Sequence, residues 1–288
     1  MSRVLDELLE LLKLEPLGVN RFRGHCQDLG FRNLFGGQVL GQSLSAAFQT
    51  LPDGEWAAHS LHAYFLRPGN VTDSVEFEVN IVRDGRSFST REVQASQNGK
   101  AILTMLCSFQ HPEEGFTHQA VMPSVHGPDG IPSQLELARQ FKEHLSDRVR
   151  EVYTADKPIE QRVVDPVDFF KPQKKEPLKH VWMKANGQMS DDLSEHARVL
   201  CYASDFNLLG TALQPHGVSM AQRNLAIASI DHSVWFHRPF RMDEWLLYAI
   251  DSPSASGARG FCRGQIFNQA GELVASVAQE GLMRQRPK

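Results

Sequence analysis

Alternating apolar and polar residues predict β-strands in the first half of the chain. Four apolar residues alternate with polar ones at the start of this region: Val75, Phe77, Val79 and Ile81. This period of two is the pattern of a strand with one buried face. An Asp-Gly pair at 84–85 and an Asn-Gly pair at 98–99 suit tight turns, because both pairs accept positive φ readily. Residues 75–110 are therefore predicted to form three strands joined by two turns.

Helical spacing of apolar residues precedes these strands. The stretch 35–51 opens on small residues and continues with apolar residues at helical intervals: Val39, Leu40, Leu44, Ala47 and Phe48. A strand is expected next, at 58–68, where the sequence reads AHSLHAYFLRP. A short amphipathic helix is predicted near the N-terminus from a face of four leucines: Leu5, Leu8, Leu9 and Leu12. The first half thus contains a helix followed by four strands.

The second half of the chain repeats this order. Residues 193–213 have helical spacing, 228–239 are predicted as a strand, and 244–283 as three strands. Arg67 aligns with Arg238 at an offset of 171, and Gly99 with Gly271 at an offset of 172. A nearly constant offset indicates an internal duplication. Each copy is expected to wrap a curved sheet around its helix, and the copies to pair edge to edge, which protects exposed strand edges.

A different kind of sequence separates the two copies. Residues 111–132 are rich in Pro and Gly and predict an extended loop, while 133–153 predict one amphipathic helix with Ser133 and Glu136 as a capping box. Residues 171–180 carry four lysines and are predicted to form a solvated turn. We therefore predict a first module, a linker with a helix and a strand, and a second module, at residues 1–115, 116–180 and 181–288.

Composition narrows the class of protein. The 288 residues are 41% hydrophobic and 22% charged, as in soluble globular proteins. A net charge of −4 gives no electrostatic case for a nucleic-acid or anionic membrane partner. No apolar run approaches the ~20 residues that span a bilayer. The four cysteines contain no CxxC pair, and the N-terminal residues do not form a secretion signal, so a cytoplasmic protein is expected.

Seven segments, in order and at matching spacing, resemble the acyl-CoA thioesterase II family: FGGQVLGQSL, HSLHAYFLRPG, RDGRSFSTREVQASQNGK, YASDFNLL, IDHSVWFHRPF, SASGARGFCRGQIF and VASVAQEGLM. The resemblance runs from about residue 5 to residue 284. It implies an α+β fold of two tandem hot-dog modules, each a helix wrapped by a curved antiparallel sheet. It also implies hydrolysis of acyl-CoA to fatty acid and coenzyme A by a homo-oligomer, a tetramer or a dimer. We expect broad use of medium- and long-chain acyl-CoA, with no metal or cofactor.

The resemblance also assigns a catalytic trio, all from the second module. Asp205 lies in YASDFNLL, Ser229 in ASIDHS and Gln279 in VAQEG. A carboxylate within hydrogen-bond reach of water can act as its general base, a contribution of roughly 10²–10⁴-fold. The hydroxyl and the carboxamide are expected to hold that water on the line of attack. Asp205 is expected inside a helix, and the matching segment of the first module, LFGGQ at 34–38, carries no acid.

Histidines offer rival general bases. His59 and His62 lie in the first-module strand and are interpreted mainly as structural core residues, with His59 also a candidate substrate contact. Asp231 and His232 are adjacent in a strand, so their side chains are expected to point to opposite faces. One or the other is interpreted as structural and bonded to the neighbouring module. A metal site of His232 and His237 is disfavoured, because no carboxylate or cysteine completes the ligand set.

Four further residues are candidate substrate contacts. Arg67 and Arg238 precede prolines at strand ends, where they would either meet coenzyme A phosphates or form an ion pair with the opposite module. Gly257 and Gly260 lie in the small-residue segment 254–260. That segment would either let the pantetheine chain approach the backbone or form a bulge in a curved strand.

Two other functions stay open on the sequence. A hot-dog enoyl-CoA hydratase would use His232 or His59 together with an aspartate at one site. A non-catalytic acyl-CoA-binding protein would not need the trio. Thiol release from acyl-CoA distinguishes the thioesterase from both.

Overall fold

The computed structural model describes residues 2–31, 33–140, 142–144, 147–166, 171–220, 222 and 224–285. Six α-helices lie in this part of the chain: α1 (Arg3–Leu11), α2 (Gly36–Phe48), α3 (Gln134–Gln140), α4 (Asp147–Thr154), α5 (Leu193–Ser204) and α6 (Leu208–Leu213). Thirteen strands accompany them: β1 (Glu15–Gly18), β2 (Arg21–Gly24), β3 (Ala57–Phe65), β4 (Val75–Asp84), β5 (Phe88–Gln97), β6 (Lys100–Gln110), β7 (Ile159–Val163), β8 (Leu178–Ala185), β9 (Leu225–Ser229), β10 (Asp231–Phe236), β11 (Leu246–Ser256), β12 (Arg259–Asn268) and β13 (Leu273–Gln285).

These strands form one continuous antiparallel sheet. Twelve follow the order β1-β2-β4-β5-β6-β3-β10-β13-β12-β11-β8-β7, and β9 pairs with β13. Strands β1 to β6 form one half of the sheet and β7 to β13 form the other half. The two halves join edge to edge where β3 pairs with β10. The predicted edge-to-edge pairing of two helix-and-sheet halves is therefore confirmed, in an α+β architecture.

An approximate two-fold axis relates the two halves. The duplication aligns His62 with Ser233, and these residues also lie opposite each other in the β3–β10 pair. Their side chains are hydrogen-bonded, with 3.1 Å between His62 Nδ1 and Ser233 Oγ. The duplication also aligns Phe35 with Phe206, whose rings stack with centroids 4.4 Å apart. Equivalent positions of the two copies thus face each other at the centre of the molecule.

Helix α2 is buried along almost its whole length, because the first-half sheet covers one side and α5 packs against another. Residues 37–47 are all buried. A Cβ atom on Gly37 would lie 2.3 Å from the carbonyl oxygen of Tyr202, and one on Gly41 would lie 3.0 Å from that of Arg198. The small residues of this helix are therefore required for the close approach of two helix backbones.

Most predicted strands are observed. Strands β4, β5 and β6 occupy 75–110, and the Asn98–Gly99 turn has φ values of 50° and 71°, typical of a tight hairpin. Ile81 was expected on the buried face but is 43% exposed, because a bulge between Ile81 and Arg83 interrupts the alternation. The β1–β2 hairpin has no counterpart among the predictions, since its first strand is exposed throughout and lacks alternation.

The linker is helical, but not as one helix. The Ser133–Glu136 capping box is confirmed: Ser133 N–H donates to Glu136 Oε2 at 2.7 Å, and Glu136 N–H donates to Ser133 Oγ at 3.1 Å. The single helix predicted over 133–153 is wrong, since α3 ends at Gln140 and α4 begins at Asp147. Residues 141 and 145–146 of that prediction lie outside the described residues. None of the described helices is long and apolar enough to cross a membrane.

Gly41→Ala is expected to destabilise the protein, because the added Cβ would press on the α5 backbone and on Leu12. Overpacking of this kind costs about 1–3 kcal/mol. Denaturant unfolding of the variant measures the loss. Gly210→Ala is the matched control: its Cβ would meet only Lys179 Nζ, at 3.8 Å, so the better helix former should leave stability equal or higher. Equal stability of Gly41→Ala and the parent protein would contradict the tight crossing of α2 and α5.

Candidate active site

Asp205 lies at a break between two helices rather than inside one. It is the C-cap residue of α5, and α6 begins only at Leu208. The single helix predicted over 193–213 is therefore wrong. The physical reason is Asn207, which adopts a left-handed conformation with φ of 73°. Asparagine tolerates that conformation better than most residues, and it turns the chain out of the helix.

Two side chains from the neighbouring strands hold Asn207 at this break. Its Nδ2 donates to Gln161 Oε1 at 2.8 Å, and Lys179 Nζ donates to its Oδ1 at 3.0 Å. The prediction of a solvated turn at 171–180 is wrong for Lys179, which lies on β8. Burial lowers the pKa of this lysine to about 8. The helix break is thus fixed by the sheet beneath it.

The three residues of the predicted trio lie in one hydrogen-bonded cluster. Ser229, the last residue of β9, has its Oγ 3.4 Å from Asp205 Oδ1. Gln279 on β13 donates from Nε2 to Ser229 Oγ at 2.8 Å. Strand β13 pairs with both β9 and β10, so it carries Gln279 past the junction of these strands. A carboxylate, a hydroxyl and a carboxamide therefore meet where α5 ends.

The first half of the chain also contributes to this cluster. The N–H of Gly37, in the first turn of α2, donates to Asp205 Oδ2 at 2.9 Å. A Cβ atom on Gly36 would lie 2.8 Å from the same oxygen. The positive end of a helix stabilises a negative charge, and these glycines let the carboxylate reach it. The segment at 34–38 is thus part of the site. From the sequence it is interpreted only as the first-module counterpart of the Asp205 segment, without an acid of its own.

His232 belongs to the cluster too, whereas the sequence places it there only for the alternative hydratase. Its Nδ1 lies 2.5 Å from Gln279 Oε1, its Nε2 lies 2.9 Å from Ser204 Oγ, and its Nδ1 lies 4.0 Å from Asp205 Oδ1. The interpretation that Asp231 or His232 bonds to the neighbouring module is wrong, since the side-chain partners of both belong to the second half. The prediction that Asp231 and His232 do not share one site is confirmed. The Asp231 side chain lies outside the cluster and accepts the Glu280 N–H at 2.7 Å.

Burial sets the electrostatics of the cluster. It raises the pKa of Asp205 to about 7, although hydrogen bonds from Gly37, Gln279 and Ser229 favour the charged form. Burial also lowers the pKa of His232 to about 4, so this histidine is neutral at physiological pH. A carboxylate with a pKa near 7 is suited to take up and release a proton at neutral pH.

The remaining histidines lie outside the cluster. His59 Nε2 is buried without a hydrogen-bond partner among the described residues, and its ring is nearly perpendicular to that of Phe88, with ring centroids 5.6 Å apart. His62 bonds to Ser233, and His237 bonds through Nε2 to Ser276 Oγ at 2.9 Å. No group of three or more metal-ligating side chains is present in the described ranges.

The other predicted substrate contacts have local partners. Arg67 Nη1 donates to the Ala101 carbonyl at 2.7 Å, and Arg238 Nη1 donates to the Leu273 carbonyl at 2.8 Å. Each arginine thus bonds to a neighbouring strand of its own half, and Arg238 also donates to Thr117 Oγ1 at 3.1 Å. The alternative of an ion pair with the opposite half is not observed among the described residues. Their contact with coenzyme A phosphates stays a prediction.

The segment 254–260 contains the hairpin turn between β11 and β12, and a bulge between Asp251 and Ser254 borders it. Gly257 and Ala258 at the turn have φ values of 55° and 60°. Gly260 is buried, and a Cβ there would lie 2.7 Å from Met283 Sδ and 2.8 Å from Ala212 Cβ. Packing against helix α6 therefore already accounts for Gly260, whereas Gly257 is exposed.

A cavity of about 370 Å³ lies beside the end of α5, and Asp205, Ser229 and Gln279 are not among its lining residues. It is bounded by α3, α4, β7 and the end of α5, and its walls include Tyr153, Ile159, Tyr202 and Phe206. Phe206 directly follows Asp205 and stacks on Phe35. An apolar space of this size, one residue from a carboxylate, is typical of a small-molecule pocket.

Comparisons with known proteins identify the family of this chain. Residues 149–282 match the family model described as acyl-CoA thioesterase, and residues 27–110 match the acyl-CoA thioesterase N-terminal domain. The chain is 42% identical to acyl-CoA thioesterase 2 of Haemophilus influenzae over 99% of both chains. It is 40% identical to acyl-coenzyme A thioesterase 8 of Mus musculus, over 96% of this chain and 89% of that protein.

Solved structures show the same fold. The acyl-CoA thioesterase II TesB2 of Mycobacterium marinum superposes with a TM-score of 0.78 at 41% identity, over 96% of this chain and 98% of that one. A hot-dog protein of Alicyclobacillus acidocaldarius superposes with a TM-score of 0.78 at 19% identity, over 100% of both chains. The fold is thus a double hot-dog. The chain belongs to the acyl-CoA thioesterase II family, whose members are thioester hydrolases.

Asp205→Asn is expected to stabilise the fold above neutral pH. The folded pKa of about 7 lies above the usual 3.8, so between these values the folded state binds a proton that the unfolded state releases. The contribution of Asp205 to stability is therefore full below about pH 4 and is lost as the pH rises towards 7. The Asn variant escapes this loss. Denaturant unfolding should show a gain in stability at about pH 8 that disappears near pH 4.

The titration of His232 changes stability with pH in the opposite direction, but this effect is common to the parent protein and the Asn variant. Its folded pKa of about 4 lies below the usual 6.5, so its contribution is lost as the pH falls between these values. Both proteins contain His232, so the difference between them isolates Asp205. The same difference in unfolding free energy at both pH values would contradict a raised pKa.

Proposed function

We propose that this protein hydrolyses medium- and long-chain acyl-CoA thioesters to free fatty acid and coenzyme A, with Asp205 as the general base. The observation that carries the proposal is the buried Asp205 carboxylate, which the N-terminus of α2 and the Ser229 hydroxyl both contact. Burying a carboxylate costs folding free energy unless the charge is paired or hydrogen-bonded, so its presence here supports a functional role. Membership of the thioesterase family supports the same reading.

The chemical step needs a water held between the trio and the thioester. Ser229 Oγ and the Gln279 amide orient this water, and Asp205 takes its proton as the oxygen attacks the carbonyl carbon. The resulting tetrahedral intermediate collapses as the C–S bond breaks. The coenzyme A thiolate then takes the proton from Asp205, which restores the carboxylate. The α2 N-terminus, with its partial positive charge, stabilises the negative charge that develops beside it.

The neighbouring cavity is proposed to hold the acyl chain. Its volume of about 370 Å³ is near the lower end of small-molecule pockets, and its walls are mainly apolar. An apolar wall discriminates by only ~1–3 kcal/mol per methylene, so a broad range of chain lengths is expected. Arg67, Arg238, His59 and the glycine pair Gly257 and Gly260 stay candidates for contacts with the coenzyme A part.

A hydratase is the second candidate, because His232 lies 4.0 Å from Asp205. Hydration of an enoyl-CoA needs a histidine nitrogen that faces the substrate. Both nitrogens of His232 are instead occupied, by Gln279 and Ser204, and its side chain is fully buried. The geometry therefore favours hydrolysis. Hydration of crotonyl-CoA without release of thiol would reverse this choice.

Three further properties are proposed with the function. A homo-oligomer, dimer or tetramer, is supported by exposed apolar side chains on the central strands and their ends: Tyr64, Leu66, Leu106 and Trp235. A cytoplasmic location is supported by four cysteines that are all free thiols. A division into modules at 1–115 and 181–288, with a linker at 116–180, is proposed as well, although strand β7 and the first residues of β8 lie in this linker and pair with the second half of the sheet.

Asp205→Asn is expected to reduce kcat for acyl-CoA hydrolysis by about 10²–10⁴-fold, because Asn cannot accept the proton of water. Release of free thiol from a long-chain acyl-CoA, measured with a chelator present, provides the assay. Asp231→Asn is the matched control, since Asp231 is a nearby half-buried carboxylate outside the cluster. It should retain activity close to that of the parent protein. Undiminished hydrolysis by Asp205→Asn would exclude Asp205 as the base.

Ala138→Phe is expected to shift the preference towards shorter acyl chains. Ala138 lines the cavity from α3, so a phenyl ring there occupies space that a long chain would need. The value of kcat/KM should fall more for long-chain than for short-chain acyl-CoA. Gln140→Phe is the control, because Gln140 is exposed on the same helix and does not line the cavity. Equal losses at all chain lengths would place the acyl chain elsewhere.

A further inference from the structure

A continuous chain of hydrogen bonds links Ser204 to the carboxylate of Asp205. Ser204 Oγ lies 2.9 Å from His232 Nε2, and His232 Nδ1 lies 2.5 Å from Gln279 Oε1. Gln279 Nε2 lies 2.8 Å from Ser229 Oγ, which lies 3.4 Å from Asp205 Oδ1. Only the last three residues belong to the trio. Ser204 and His232 extend the cluster beyond the trio.

The donors in this chain all point towards Asp205. Gln279 presents its carbonyl oxygen to His232, so His232 Nδ1 must carry the hydrogen. His232 is neutral, because burial lowers its pKa to about 4, and its Nε2 therefore accepts the Ser204 hydroxyl hydrogen at 2.9 Å, in competition with the Cys201 carbonyl, which lies 3.1 Å from the same hydroxyl. Gln279 then gives an N–H to Ser229, and the Ser229 hydroxyl is free to donate to Asp205.

The reversed arrangement would deprive Asp205 of a donor. If the Gln279 amide were turned over, its N–H would face His232 and its carbonyl would face Ser229. The Ser229 hydroxyl would then be drawn towards Gln279. The tautomer of His232 decides between the two arrangements. When Nδ1 carries the hydrogen, it can donate only to the carbonyl oxygen of the Gln279 amide.

The first half of the chain shows what the fold requires at these positions. The duplication aligns His232 with Leu61 and Gln279 with Cys107, and these two residues also lie opposite each other, in β3 and β6. Both are fully buried. Ser229 and Asp205 align with Ala58 and Leu34, which are buried as well. The same framework is thus built from apolar residues in one half and from a polar chain in the other, so packing alone does not account for His232.

We propose that His232, itself bonded to Ser204, is a positioning residue that fixes the Gln279 amide so that Ser229 donates to Asp205. This inference rests on the proposed hydrolytic role of the trio. His232 touches neither water nor substrate in it, because both of its nitrogens are occupied and its side chain is buried. Its effect reaches the reaction only through Gln279.

The tyrosine and cysteine side chains packed around this chain of hydrogen bonds do not change charge near neutral pH, and Lys179, whose pKa burial lowers to about 8, contacts Asn207 rather than the chain. Tyr248 donates its hydroxyl to the Ser204 carbonyl at 2.9 Å, and burial raises its pKa well above the usual value. Burial likewise raises the pKa of Cys201 on α5 and brings that of Cys262 to about 11. The pH profile of the reaction near neutrality therefore reports on Asp205.

His232→Leu, which installs the first-half residue, is the first test. The parent enzyme should lose activity as the pH falls through about 7, since Asp205 must be ionised. In the variant, kcat should fall by about 10²-fold with KM little changed, as a misplaced catalytic group predicts. The acid limb should also move to higher pH, because Asp205 loses a donor to its charged form. His232→Asn, which keeps a donor for Gln279, should recover at least about tenfold of the loss.

His196→Leu provides the matched structural control. His196 is a fully buried histidine of α5 whose nitrogens bond to the Ser190 carbonyl and the Met242 N–H, far along the helix from Ser204. Its loss should reduce stability but leave kcat and the acid limb unchanged. Ser204→Ala, a smaller change, should shift the acid limb in the same direction as His232→Leu. It keeps the inference testable if His232→Leu does not fold.

The outcomes separate this inference from the proposed function. If Gln279→Ala already abolishes the effect of His232→Leu in the double variant, His232 acts through Gln279, as proposed. Additive losses would overturn that role, and so would a folded His232→Leu with the kcat and acid limb of the parent. An inactive Asp205→Asn beside a fully active His232→Leu would overturn this inference alone. An active Asp205→Asn would overturn the proposed mechanism itself.

Discussion

The structure depends on one constraint: the Asp205 carboxylate is removed from water and must be satisfied by protein groups. Burial raises its pKa to about 7, which makes it a suitable base but costs folding free energy when it is charged. Three features of the structure position the carboxylate and provide its hydrogen-bond donors. The N-terminus of α2 gives it a backbone donor through Gly37, a polar chain of side chains leads to Ser229 beside it, and a helix break fixed by Asn207 positions it. Each feature comes from a different part of the fold.

The duplication provides the frame in which these parts meet. Two halves of similar sequence pair through β3 and β10 around an approximate two-fold axis, and their equivalent phenylalanines, Phe35 and Phe206, stack at the centre. The symmetry brings the start of α2 from one half to the end of α5 in the other. One half supplies a helix terminus and apolar packing, while the other supplies the acid, hydroxyl and amide. A single half contains neither the complete site nor its full packing.

The comparison of the halves also separates stability from function. At positions equivalent to the polar chain, the first half has Leu34, Ala58, Leu61 and Cys107, which fill the same kind of space without buried polar groups. Burying polar groups costs free energy that their hydrogen bonds only partly recover. The second half therefore holds a less stable but chemically useful version of the same frame, as is common at functional sites.

The sequence by itself determined the repeated helix-and-strand pattern, the order of the three-strand segments and the capping box of Ser133. These features depend on local periodicity and on residue types, which a linear sequence displays directly. The family resemblance added three residues, Asp205, Ser229 and Gln279, that meet in one cluster. The tertiary structure alone decided that the helix breaks at Asn207, that Gly37 meets Asp205, that Lys179 is held against Asn207, and that His232 joins the site. Such contacts link residues as far as 168 positions apart, and they depend on how two halves pack across a shared axis. Alternation shows which face of a strand a side chain takes, but only packing shows what lies on that face.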